Sequence, residues 1–306
     1  MTSASRITTD VAQAARVLLA GGIIGLPTET VYGLAALANN EIAVRRVFST
    51  KGRPTTHPLI VHLGTNVDPE EWGKFDANAK KLAQAFWPGP LTLLVPRTPL
   101  VADWVTGGRD TVAIRVPSHP LAQALLNAVK TGVVAPSANR FGKVSPTTAQ
   151  HVLDDLETDV DLILDGGASE VGVESTIVEC VDNEVRILRP GLISSQQLQT
   201  VVVLSDEIVA NDSRAPGMLA SHYAPQALVH LFENIAEAEL EMKHLRDQQQ
   251  TCFLLHYENL NKYAENLYRD LRQADADGIS VVCAVLPKDS DVGSAIRDRL
   301  MKAAYR

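Results

Sequence analysis

The chain has 306 residues, enough for two domains and at least one full-sized core. Its net charge of −8 is uneven: residues 1–150 hold 15 Lys and Arg against 9 Asp and Glu, residues 151–200 hold 2 against 11, and residues 201–306 hold 11 against 16. That balance excludes a chain that is basic throughout, and it leaves a first half able to attract phosphate or to bind RNA weakly.

No apolar run approaches the roughly 20 residues of a membrane span, so no membrane partner is expected. Residues 1–22 lack the basic and then apolar order of a secretory leader. Cys180, Cys252 and Cys283 are scattered and form no C-x-x-C pair, which argues against a zinc knot or a disulfide framework and places the chain in a reducing cytoplasm.

In chain order, the pattern predicts a helix over 9–20, a strand in GGIIGLP and a helix near 38–49. A strand in PLIVHL, a helix over 77–86 and strands in LTLLVP and TVAIRVP follow. A helix over 120–129, a strand in GVVAPS, a helix over 147–156 and strands in DLILDG, STIVEC and EVRILR complete a domain of 1–204. Neighbouring strands without an intervening helix make a mixed sheet the expected form of this α/β (α+β) domain. Prolines, a glycine and polar residues over 205–226 read as a linker. The tail, 227–306, alternates strands (ALVHLF, TCFLLH, GISVVCAVL) with helical stretches and reads as a small three-layer α/β, Rossmann-like domain.

The sequence holds no G-x-x-x-x-G-K-[ST], no G-x-G-x-x-G after a strand, no H-E-x-x-H and no G-x-S-x-G. Five other clusters stand at strand ends. LPTETVYGL follows the first strand with hydroxyls at Thr28 and Thr30. KGRP places Lys51 and Arg53 at a helix end, a point charge and a planar fork able to bracket phosphates, with His57 and His62 beyond. TVAIRVP puts Thr111 and Arg115 on one strand face, where Arg115 could clamp a carboxylate. APSAN is followed by SPT, where Ser145 or Thr147 would cap the next helix or hold phosphate at its start. GVESTIV is followed by Arg189, another phosphate cation. No carboxylate pair and no nucleophile–base pair stands out, so chemistry by positioning and charge neutralisation, such as nucleotidyl transfer from ATP, fits better than acid–base hydrolysis.

These motifs, PTETVYGL, KGRP with PLIVH, PSAN with SPT, and STIV with ILRPG, resemble the threonylcarbamoyl-AMP synthases and their YrdC-like domain over about residues 7–195. APGMLASHYAP and the α/β tail resemble the longer, two-domain form of that family. The resemblance implies a twisted mixed sheet around a concave cavity, and formation of threonylcarbamoyl-AMP and pyrophosphate from L-threonine, bicarbonate and ATP. The product would pass to a transferase complex that modifies tRNA. By motif, Lys51, Arg53, Ser137, Asn139, Ser145 and Arg189 would bind ATP, assisted by Thr111 and His57, with Lys51 and Arg53 carrying the catalysis. Thr30, His62, Arg115, Ala135 and Ser175 would hold threonine, and Tyr223 would reach over the nucleotide as a lid. Mg2+ would come with the ATP phosphates rather than on protein ligands. His57 stands where the family more often has Asn, and Phe141 and Val144 replace a small polar residue and a proline. A carbamoyl-adenylate-forming relative and a non-catalytic RNA-binding module are the alternatives.

Overall fold

A computed structural model of the chain describes residues 6–205 and 223–305. The first unit runs β1 (Ile7–Thr8), α1 (Val11–Leu19), β2 (Ile24–Leu26), β3 (Gly33–Leu37), α2 (Glu41–Lys51), β4 (Ile60–His62), α3 (Ala77–Phe86) and β5 (Leu91–Pro96). It continues through α4 (Asp103–Thr106), β6 (Thr111–Arg115), α5 (Pro120–Val129), β7 (Val133–Val134), α6 (Ala149–Leu156), β8 (Leu162–Leu164), β9 (Thr176–Val181), β10 (Glu184–Arg189) and α7 (Ser195–Gln199). The second unit is β11 (Leu228–Phe232), α8 (Ile235–Asp247), β12 (Cys252–Leu255), α9 (Leu260–Ala276), β13 (Val281–Val285) and α10 (Val292–Ala304). The 205–226 linker expectation falls mostly outside the described residues; only its two ends are described. Among the described residues no helix is long and apolar enough to cross a membrane.

The helices begin where the sequence supplies caps. Asp10, Asn40, Asp76, Asn234 and Asn259 accept backbone N–H groups of α1, α2, α3, α8 and α9, satisfying donors that a first turn leaves unpaired. Thr148, rather than Ser145 or Thr147, caps α6 by accepting from the backbone of His151. The Ser145 hydroxyl is thereby free for another partner.

Ten strands form one mixed sheet in the order β1-β8-β2-β3-β7-β4-β6-β5-β9-β10, as the helix-free strand neighbours implied. β4 pairs in parallel with β6 and β5 with β9, whereas β3, β7 and β10 each join by antiparallel pairing. β3 was not expected. Its sequence, GLAAL, is buried at every position, so it lacks the polar alternation that marks a strand with one wet face. Apolar clusters built on Leu34, Val61, Leu93 and Ile114, and on Leu18, Leu26, Leu125 and Leu162, pack the helices against the sheet.

The second unit is a three-stranded parallel sheet in the order β11-β13-β12. Its core is continuous with Val31, Val144 and Val173 of the first unit. Gly172 (φ +73) lies against α9 so closely that a Cβ there would meet the Ala264 carbonyl at 2.3 Å, which only glycine avoids.

Leu93, fully buried on β5, anchors the larger core. Leu93→Ala is expected to cost about 2–5 kcal/mol through lost burial and a residual cavity, read as a lowered urea midpoint with unchanged slope.

Candidate active site

A cavity that is partly open to solvent lies beside the strand ends of the large sheet. The ends of β4 (His62), β6 (Arg115) and β10 (Arg189) line it, together with residues just before β3 and β9 and just after β7. Ligands in open α/β sheets gather at such ends.

One corner is built on the parallel pairing of β4 and β6, which sets His62 directly opposite Arg115. Arg115 Nη1 donates to Thr30 Oγ1 at 2.8 Å, and its Nη2 lies 2.8 Å from Glu29 Oε1. Thr30 Oγ1 is also 2.8 Å from Thr28 Oγ1. Burial by itself would raise the Glu29 carboxyl, but the Arg115 guanidinium overcomes it and holds the group below its ordinary value. Burial, followed by the charge of Arg115, pushes the His62 imidazole down to about 3. His62 is therefore neutral at pH 7, and its buried Nδ1 has no hydrogen-bond partner.

The opposite wall is set by the end of α2. Gly52 takes the left-handed conformation (φ 65) that closes the helix, so Lys51 and Arg53 leave it in different directions. Lys51 Nζ donates to the carbonyls of Ser137 (2.5 Å) and Asn139 (2.6 Å), tying down the loop after β7. Burial, then the charge of Arg53, lowers the Lys51 ammonium well below its usual range. Arg53 faces the cavity, donates Nη2 to the Pro58 carbonyl at 3.1 Å and leaves its buried Nε without a partner. It has no carboxylate partner among the described residues. Burial, with Arg189 nearby, lowers it to about 10, so it stays cationic at neutral pH.

A register shift between Ile187 and Arg189 aims Arg189 back toward β9. Arg189 donates Nε and Nη2 to the Ser175 carbonyl (3.1 and 3.0 Å) and Nη2 to Ser175 Oγ (3.1 Å). Ser175 Oγ lies 2.8 Å from Thr92 Oγ1. Next to it, Glu174 accepts from Ser145 Oγ (2.7 Å), from the Tyr268 hydroxyl (2.7 Å) and from Arg299 Nε (3.1 Å). Burial opposes the Glu174 charge, yet Arg299 and Arg189, with these hydrogen bonds, bring its carboxyl down to about 2.

Residues 16–191 match the family model described as "Telomere recombination", and residues 193–305 match "Threonylcarbamoyl-AMP synthase, C-terminal domain". The threonylcarbamoyl-AMP synthase of Bacillus subtilis is 38% identical over 320 residues, covering 96% of this chain and 92% of that protein. That of Pyrococcus abyssi is 36% identical over 315 residues, covering 94% and 92%. The chain belongs to the threonylcarbamoyl-AMP synthase family. The crystal structure of P. abyssi Sua5 complexed with L-threonine superposes with a TM-score of 0.89 at 34% identity, over 96% of this chain and 94% of that one.

Within this synthase-family fold, Thr30, His62, Arg115, Ala135 and Ser175 line one cavity with Arg53, Ser137, Arg189 and Tyr223. Lys51 and Asn139 stand behind that wall, their contacts made within the loop. Ser145 is turned to Glu174. His57 and Thr111 are not among the lining residues: the His57 ring packs 5.7 Å from that of Phe141, and Thr111 begins β6, roughly 13 Å of strand from Arg115. Tyr223 stacks on Tyr268 at 5.5 Å and adopts a left-handed φ of 63. Glu29 and Glu174 are site residues that sequence pattern alone did not single out. Each sits in a strand-end motif, and a carboxylate beside a strand that buries on both faces is a signal that a cation must meet it.

His62 is neutral in the folded chain down to about pH 3 but is protonated in the unfolded chain below its ordinary value of 6.5. The unfolded state then binds the extra proton, so stability falls as pH drops through that window. In urea titrations from pH 7 to pH 4, His62→Gln is expected to lose midpoint stability less steeply than the parent; equal slopes would contradict the assignment.

Proposed function

We propose that this cavity condenses L-threonine, bicarbonate and ATP into threonylcarbamoyl-AMP and pyrophosphate, for delivery in the cytoplasm to a transferase that modifies tRNA. The observation that carries the reading is the division of one cavity into two sides, one built on the Arg115–Glu29 ion pair and the other cationic. Arg115 stands beside neutral His62 on one side, and Arg53, with no carboxylate partner among the described residues, stands near Arg189 on the other. The near full-length synthase relatives favour this reading over an RNA-binding module or a carbamoyl-adenylate-forming relative.

In this reading Arg115 meets the threonine carboxylate with the N–H groups left over by Thr30, Glu29 and the Gly89 carbonyl, while His62 Nδ1 and Ser175 meet its polar groups. The neutral amine forms a bond to the carbon of bicarbonate as a C–O bond breaks and water leaves, giving a carbamate. A carbamate oxygen then attacks the α-phosphorus of ATP and the bond to pyrophosphate breaks. Arg53 and Arg189 stabilise charge gathering on the leaving phosphates, in a wall dry enough to strengthen the effect. Lys51 acts by fixing the Ser137–Asn139 loop against the nucleotide. Tyr223 closes the wall and limits water near the labile mixed anhydride.

The lining does not fit a resident divalent cation. Its one carboxylate among the described residues, Glu174, is taken up by Ser145, Tyr268 and Arg299, and no group of three His, Cys, Asp or Glu side chains is set to hold a metal there. Mg2+ is accordingly assigned to the ATP substrate, carried on its phosphates.

Pyrophosphate release from ATP at fixed Mg2+ is expected to require both L-threonine and bicarbonate, and to be poorly supported by serine at equal concentration. Release indifferent to threonine, or none from folded protein, would refute the reading. Arg53→Ala and Lys51→Ala are each expected to lower kcat/KM by at least about tenfold, the first through lost charge stabilisation and the second through a loosened loop.

A further inference from the structure

We propose that Arg299, on α10 of the second unit, is a positioning residue for the nucleotide side of the cavity, acting through the contact between Arg189 and Ser175. The inference rests on the reading of that cavity as the ATP site. Arg299 has no exposed surface. Its Nε donates to Glu174 Oε2 at 3.1 Å and its Nη1 to the Pro190 carbonyl at 2.7 Å. Glu174 immediately precedes Ser175, and Pro190 immediately follows Arg189. One guanidinium thus grips the chain on both sides of the place where Arg189 donates to Ser175. Displacing Glu174 shifts the acceptor, and displacing Pro190 shifts the donor.

The grip is specific to the shape of arginine. Two acceptors on different chain segments are met by two separate nitrogens of one rigid plane, which a lysine ammonium on a flexible stem does not reproduce. The second unit reinforces it from α9: Tyr268 donates to the same carboxylate oxygen, and Arg272 donates Nε to the Ser145 carbonyl at 3.2 Å while pairing with Asp155 at 2.5 Å. Ser145 is itself the remaining donor to Glu174. A cluster whose only task was adhesion between units could be apolar at lower desolvation cost; buried charge here fixes direction. Of the threonine corner only Ser175 shares this contact, and Thr92 gives its hydroxyl a second anchor; Arg115, Thr30 and Glu29 are held independently of it, so threonine is affected less than the nucleotide.

The test measures binding of a non-hydrolysable ATP analogue with Mg2+, and separately of L-threonine, to the full chain by calorimetry. Arg299→Lys is expected to weaken the analogue by about tenfold or more and threonine by less than about threefold, because a buried charged hydrogen bond is lost on one side only. Tyr268→Phe, which keeps the ring and removes one donor to Glu174, is expected to act in the same direction by about threefold. Added to Arg189→Lys, the Arg299→Lys change is expected to weaken the analogue by less than about threefold more, since two residues working through one contact are not additive.

A wild-type chain that binds neither ligand would sink the reading of the site. Normal wild-type binding with both the Arg299 and Tyr268 variants unaltered would overturn this inference alone. So would equal weakening of both ligands, or full additivity with Arg189→Lys, either of which would mark Arg299 as general packing. Should Arg299→Lys fail to fold by circular dichroism, Tyr268→Phe decides.

Discussion

The carboxylate of Glu174 is buried at the junction of the two units, and a buried charge is tolerated only when its whole surroundings answer it. Ser145, Tyr268 and Arg299 do so from a loop, α9 and α10. The cost of withdrawing such a charge from water is several kcal/mol, and removing any one partner exposes that cost again. The loop before α6, the start of β9, the end of β10 and two helices of the second unit are therefore held in one arrangement by the needs of a single side chain. Because Ser175 and Arg189 adjoin this point, the same requirement shapes the cavity wall.

The mixed sheet supplies the other half of the arrangement. Parallel pairing of β4 with β6 brings His62 level with Arg115, and parallel pairing of β5 with β9 places Thr92 beside the turn that carries Ser175. The antiparallel insertion of β7 beside β4 brings Ala135 across from Ile60 and leaves the Ser137–Asn139 loop within reach of Lys51. Positive groups are thus gathered by register rather than by proximity in sequence. His62 is kept neutral beside them, so that one side of the cavity can offer a hydrogen-bonding ring where a further charge would be repelled.

Much of this was legible in the chain. The limits of α3 and α5 were read correctly because Asp76 before one and Pro120 at the start of the other are strong punctuation. Apart from β1, β3 and the short helices α4 and α7, the order of strands and helices followed from alternation, as did the small second unit, and the mixed sheet followed from missing crossovers. β3 was hidden because two buried faces leave no alternation to see. In the site, cations and hydroxyls at strand ends were visible as types. The sequence did not show that Lys51 spends its ammonium on backbone carbonyls, or that His57 and Thr111 stand off the wall. Such distinctions depend on which way a helix end or a strand start points. The Glu174–Arg299 pairing was out of reach: Glu174 lies in the GVESTIV motif, but its partner is 125 residues away on α10 and belongs to no local pattern.

The close approach at Gly172 bears on how the two units can move. There the first unit meets α9 backbone to backbone, with no side chain between them to bend or change rotamer. Packed helices that slide past one another do so by small side-chain adjustments along their contact. That freedom is missing at this one point. A side chain introduced at Gly172 could not be absorbed by a change of rotamer and would have to push the two backbones apart.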